Sequence, residues 1–196
     1  MPAIAKGNKL SVFVSAVEKK LGDEGIKELT KEYGQELNFI AARQYEESDY
    51  VRLIRSTAQV LYGDVSDRSL FEVGRILAEW ELQSSFMKIG LKIVSAKQVF
   101  KGIMFNPDIL RLIEAAIPKF APTLSTKFEN PDPKTLEITF FDTAIPAKYY
   151  EGEWYEIFKH WIGNVSTTSR QLSPTSFQII ISSEQFKNLE NYLSNA

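Results

Sequence analysis

Thr135-Leu136-Glu137-Ile138-Thr139-Phe140-Phe141 is the stretch on which the fold turns. Leu136, Ile138 and Phe140 alternate with Glu137, Thr139 and Phe141, the period of two expected of a strand with one buried face. After Pro122 the period changes from helical spacing, so this is where the chain changes architecture. Residues 124 to 128 supply a partner strand, with a turn at Asn130-Pro131-Asp132-Pro133. Helical spacing returns over 149 to 162, with Tyr150, Trp154, Ile157, Phe158 and Trp161 on one stripe and Gly163 as the stop. A second hairpin follows, 165 to 172 and 176 to 182, turning at Ser173-Pro174-Thr175. Ser183 then caps a helix carrying Phe186, Leu189 and Leu193. Two hairpins flanking a helix form one antiparallel sheet with the helix on a face. The expected fold class is α+β, a helical N-terminal part followed by a four-stranded antiparallel sheet built from two hairpins around a helix.

Working back toward the N-terminus, Asn106 to Ile117 reads as a helix with both ends written into it. Asn106 is the N-cap, Pro107 suits the first helical position, and Pro118 ends the run. Its stripe of 109, 112, 113, 116 and 117 faces a core or lines a pocket. Ser95 caps a short helix holding Val99, Phe100 and Ile103, and 86 to 94 form a helical segment interrupted near Gly90. Ser66 or Asp67 opens a helix to about Ser84 with Leu70, Val73, Leu77 and Trp80 inward. Gly74 lies beside that stripe, inviting the close approach of a neighbouring helix. Ser48 opens another helix with Val51, Ile54, Ala58 and Leu61, closed by Gly63. Leu10, Phe13, Val14, Val17 and Leu21 define a helix ending at Gly22, and Asp23 caps a second one carrying Ile26, Leu29 and Tyr33 up to Gly34. Residues 35 to 47 stay ambiguous, with Phe39-Ile40-Ala41-Ala42 read as a short helix and the acidic segment after it as a loop.

The chain of 196 residues is long enough for a full core, and one domain over 1–196 is expected, with a helical subdomain over about 1–122 and a sheet subdomain over about 123–196. A net charge of -2 gives no footprint for nucleic acid. The acidic stretch over 23 to 50, eight Asp/Glu against Lys27, Lys31 and Arg43, is a solvated helix face or a dock for a basic partner. With no cysteine there is no disulfide, thiolate metal site or cysteine nucleophile. Met1 to Gly7 lacks the apolar core of a signal peptide, and no apolar run approaches a membrane span. A cytoplasmic protein is expected, in which the Asn164-Val165-Ser166 sequon is incidental.

The element order resembles the haem-dependent nitric-oxide/oxygen-binding domains, together with the vinyl-reductase-like and trafficking-complex folds. The resemblance runs through Leu10 to Leu21, Ala42-Arg43-Gln44-Tyr45 to Leu61, Leu70-Phe71-Glu72-Val73-Gly74 to Gly90, and Asp108 to Pro118 into the paired hairpins. Ala147-Lys148-Tyr149-Tyr150-Glu151-Gly152 is similar to haem-less bacterial relatives of that fold, abundant in myxobacteria. The resemblance implies a haem held by a proximal histidine on the helix at 106 to 117, at a position near Leu110. No histidine precedes His160, and leucine cannot ligate iron. It also implies a Tyr-x-Ser-x-Arg signature holding the haem propionates. The matching Phe140-Phe141-Asp142-Thr143-Ala144 has neither the arginine nor the hydroxyls in those places, and Asp142 repels carboxylates.

Other chemistry is equally thin. His160, the single histidine, sits beside the stripe of its helix, where it is an exposed helix residue or a displaced haem ligand. There is no Gly-x-Ser-x-Gly elbow, no phosphate-binding loop, and no several-ligand set for zinc. Glu79 and Glu81 point to different faces of one helix, whereas Glu72 and Glu79 share a face turned away from the core. Arg111 pairs with Asp108, Glu114 or an acidic ligand. No catalytic residue and no cofactor are expected. Aromatic side chains either pack as ordinary core or line a cavity for a flat or acyl ligand, with Trp80, Phe105, Leu110, Ile113, Phe140 and Trp154 as the candidate pocket residues. The expectation is a haem-free sensory or interaction domain that takes a small apolar ligand or a partner protein, with a homodimer possible. The alternatives are an assembly module with a filled core, and a haem-based gas sensor with a displaced ligand.

Overall fold

In the computed structural model, residues 3–83, 110–111, 114–115 and 125–186 are described. A short strand β1 (Ala3–Lys6) leads into α1 (Gly7–Tyr33), and β2 (Gln44–Glu46) returns to pair antiparallel with β1. Next come α2 (Glu47–Tyr62) and α3 (Asp67–Gln83), then the hairpin β3 (Ser125–Asp132) and β4 (Thr135–Phe141). Helix α4 (Ala147–Ile162) follows, and the hairpin β5 (Ser166–Ser173) and β6 (Ser176–Ser182) closes the described chain. The fold is α+β, with a four-stranded antiparallel sheet in the order β3-β4-β6-β5.

The central pair of the sheet sets its buried face. Leu136 is opposite Ile181, Ile138 opposite Ile179, and Phe140 opposite Phe177, and all six are buried. Helix α4 packs on the sheet through β5 and β6, and on its other side it makes the most extensive contact among the described helices, with α3. Helix α3 in turn meets α1 and α2. Helix α4 is therefore buried on opposite sides, between the sheet and the helical part, where α3 crosses it and Tyr149 meets α1 and α2.

The turns explain where the elements stop. Gly34 and Gly63 end α1 and α2 in the left-handed region at φ 75° and 83°. Helix α1 is broken at Gly22, whose backbone (φ 65°, ψ -156°) is not helical, so it is two helices joined across a kink, as expected from sequence. Glycine adopts that backbone freely, so the first helix stops at Gly22 and the second starts afresh after it.

Four local expectations need correction. The helix expected to open at Ser48 starts one residue earlier, at Glu47. The β3–β4 turn sits at Pro133-Lys134, because β3 runs on to Asp132 through an irregularity after Glu129. Residues 44 to 46 form a strand rather than a loop; the ribbon is anchored by Gly7 N–H donating to Arg43 O at 2.9 Å and Asn8 N–H to Ala41 O at 3.2 Å. Trp80 is not inward: it is 37% exposed. At 100° per residue the stripe of Leu70, Val73, Gly74, Leu77 and Ala78 continues at Glu81, and Trp80 falls to its side. Of the helix at 106 to 117, Leu110, Arg111, Glu114 and Ala115 are described and are helical. The helices expected over 86 to 103, the end of the one after Ser183, and the pocket candidates Phe105 and Ile113 lie outside the described residues.

Candidate functional site

The site is built on the crossing of α3 and α4. A Cβ on Gly74 would lie 1.9 Å from Tyr149 O and 2.9 Å from Glu153 N, and one on Gly152 would lie 1.9 Å from Phe71 O. Two glycines, one per helix, thus let the backbones touch, as expected for Gly74. The crossing brings a second face of α4 inward besides its aromatic stripe: Tyr149, Gly152 and Glu153 are all buried.

Tyr149 points to α2, where its hydroxyl lies 2.6 Å from that of Tyr50. Phe13 of α1 packs on both rings, at 5.9 Å from Tyr50 and 6.3 Å from Tyr149. Burial, first of all, pushes both phenols well above their ordinary range, so the pair stays protonated. Beside it Glu153 is 9% exposed, with Glu81 of α3 and Lys9 of α1 as its charged neighbours. Lys9 Nζ lies 2.7 Å from Glu81 Oε1. Burial pulls the Lys9 ammonium down, but Glu81 and Glu153 outweigh it and hold it above its usual range. Sequence reading singled out none of Lys9, Tyr50, Tyr149 and Glu153. The available signal was periodicity: Glu81 continues the α3 stripe, and Glu153 sits one turn on from Tyr149.

On the sheet side of α4, Phe140 is 1% exposed and stacks on Tyr150 at 4.4 Å and on Phe177 at 5.0 Å. Trp154 is half-buried, edge-on to Phe128 at 6.3 Å and tilted against Phe158 at 5.9 Å. Leu110 is 3% exposed. Of the described pocket candidates, Phe140, Leu110 and Trp154 belong to the packed interior or its margin, while Trp80 stands at the surface. Arg111 is exposed, and Glu114 accepts from the backbone N–H of Phe128, tying the helix to the edge strand β3.

The loop after β4 is where the resemblance implies propionate-binding donors. Asp142 adopts φ 53°, in the left-handed region, and turns the chain. The Thr143 hydroxyl and the Ala144 N–H (at 2.5 and 2.9 Å) both donate to Glu47 Oε1, at the start of α2. The donors of this loop are therefore taken by the chain's own carboxylate. His160 is exposed on α4, its ring edge-on to Trp161 at 5.2 Å. A buried leucine near the proximal position, an exposed histidine and a loop occupied by Glu47 do not fit a histidine-held haem with bound propionates. Among the described residues there is no group of three or more His, Asp or Glu arranged to hold a metal ion.

Further side chains tie the layers together. Arg75 of α3 reaches Glu156 of α4 at 2.7 Å and Glu72 and Glu79 of its own helix at 3.0 and 3.7 Å, so one guanidinium ties the shared acidic face expected from sequence to α4. No helix among the described residues is long and apolar enough to cross a membrane.

No protein-family model matches the chain, and no curated protein matches it in sequence. Solved structures do. An H-NOX protein from K. algicida is similar over 91% of this chain and 96% of its own, at TM-score 0.66 and 15% identity. An H-NOX protein from S. oneidensis in the Fe(II)NO ligation state is similar over 91% and 98%, at TM-score 0.67 and 14% identity. A variant of the Tt H-NOX gives TM-score 0.64 at 12% identity, over 92% and 95%. These likenesses over nine-tenths of the chain show its fold: the chain has the H-NOX-like fold, that of the haem-nitric-oxide/oxygen-binding domains.

Proposed function

We propose that the chain is a non-enzymatic, haem-free sensory or interaction domain. It binds a small apolar ligand or a partner protein, and helix movement at the α3–α4 crossing passes the bound state on. The observation that carries this reading is the pair of exchanges within an H-NOX-like fold: Leu110 buried near the expected proximal position, and Glu47 held by the loop where propionates would sit. Solved neighbours include an H-NOX domain with nitric oxide on its iron, which makes a sensory role the natural starting point. The donor set of this chain argues for a different ligand. An assembly module with a filled core is the second reading, favoured by the stacked Phe140, Tyr150 and Phe177.

Native mass spectrometry of the purified protein separates the two, since it reports copurified ligand and subunit number together. An adduct of constant mass that raises the melting temperature when added back supports the sensory reading. A bare chain whose melting temperature no lipid or tetrapyrrole raises supports the assembly module.

A further inference from the structure

At the junction of α1, α3 and α4 the buried Glu153 meets a partly buried Glu81 and Lys9, whose side chain is 40% exposed. Glu153 leaves α4 at the point where the α3 backbone comes nearest. Glu81 faces it from α3 and Lys9 from α1, with Lys9 already hydrogen-bonding Glu81 at 2.7 Å. Tyr50 of α2 and Tyr149 and Tyr150 of α4 complete the surroundings, and Glu47 of α2 acts on Tyr150 from the far side. Among the described residues, these are the titratable groups that act on Glu153 or on its tyrosine neighbours. Burial of Glu153 and the like charge of Glu81 both oppose its ionised form, with Lys9 as the described cation that favours it. One added proton on Glu153 relieves both without disturbing the Lys9–Glu81 pair. The three tyrosines do not supply an alternative, because burial keeps them protonated.

We propose that this cluster is a proton-binding site, in which Glu153 holds the proton, Lys9 and Glu81 remain an ion pair, and loss of the proton loosens the α3–α4 crossing. Burial first, and Glu81 second, push the Glu153 carboxyl up to about 8 against the opposing pull of Lys9, so the proton is exchanged near neutral pH. The sign of the linkage follows. Below the usual carboxyl range both folded and unfolded chains are protonated at this residue. Between that range and about 8 the folded chain holds a proton that the unfolded chain has released. Stability therefore falls as pH rises across this window and levels off above it.

The test is the melting temperature of the wild type and of Glu153→Gln from about pH 5 to about pH 9, beside an infrared titration of the wild-type carboxyl band with carbon-13-labelled glutamate. The proposal expects a wild-type melting temperature that drops through the neutral range and a clearly flatter profile in Glu153→Gln. It also expects a protonated-carboxyl band near neutral pH that fades in alkali and is missing from the variant. Parallel pH profiles, or no protonated carboxyl near neutral pH, would overturn it. If Glu153→Gln does not fold, the wild-type infrared titration decides alone. Neither result depends on what ligand the domain takes.

Discussion

The hydroxyls of Tyr50 and Tyr149, 2.6 Å apart and wholly inside the protein, show how much this core depends on satisfied polar pairs. Changing Tyr149 to Phe leaves the Tyr50 hydroxyl without that partner, at an expected cost of about 1–3 kcal/mol in denaturant melts. The double change to Phe removes both polar atoms and should cost less than the two single changes summed. A fully additive double variant would mean that the hydroxyls do not act as a pair. Sequence reading located the aromatic rings near this site but not its polar members. Lys9, Tyr50 and Glu153 look like surface residues in a polar-apolar pattern, because a charged or hydroxylated side chain is taken as solvent-facing unless its helix is known to be covered on both sides. Trp80 shows the converse error. Its bulk invites an inward placement, and the geometry of the stripe puts Glu81 there instead.

At the scale of elements, the α3–α4 crossing rests on Gly74 and Gly152, and here sequence and structure agree most closely. Gly74 stands out in sequence as a small residue next to an apolar stripe; what it could not show was which helix comes close. Gly74→Ala and Gly152→Ala each place a Cβ 1.9 Å from a backbone carbonyl oxygen, which a side-chain shift cannot relieve. Each should cost about 3 kcal/mol, the upper part of the range for overpacking. Gly63→Ala has open space around its Cβ, and only its left-handed φ of 83° resists the change, so a smaller loss of about 1–2 kcal/mol is expected. Equal losses at Gly74 and Gly63 would contradict the close crossing. The Glu47 contact joins the helical part to the loop after β4 through two donors. Glu47→Ala should cost about 1.5–3 kcal/mol and speed amide exchange at Ala144. The β1–β2 ribbon was not legible in sequence, since three or four residues carry no readable period and the pairing is fixed by backbone hydrogen bonds around Gly7.

Across the whole molecule, the order of helices followed by hairpin, helix and hairpin was readable because the hydrophobic period changes from 3.6 to 2 and back. Alternation at 135 to 141 placed Leu136, Ile138 and Phe140 on the buried face, opposite Ile181, Ile179 and Phe177. The layering itself was not readable, because it depends on α4 being covered on opposite sides. The haem question belongs to this scale, since fold and donor set point in opposite directions. An H-NOX-like fold invites a haem, whereas Leu110, the exposed His160 and the Glu47-bound loop do not fit one held by histidine. The most direct measurement is the visible absorption spectrum of the protein expressed with ample haem and purified. The account expects no Soret band. A Soret band that copurifies with the protein and is lost in His160→Ala would contradict it.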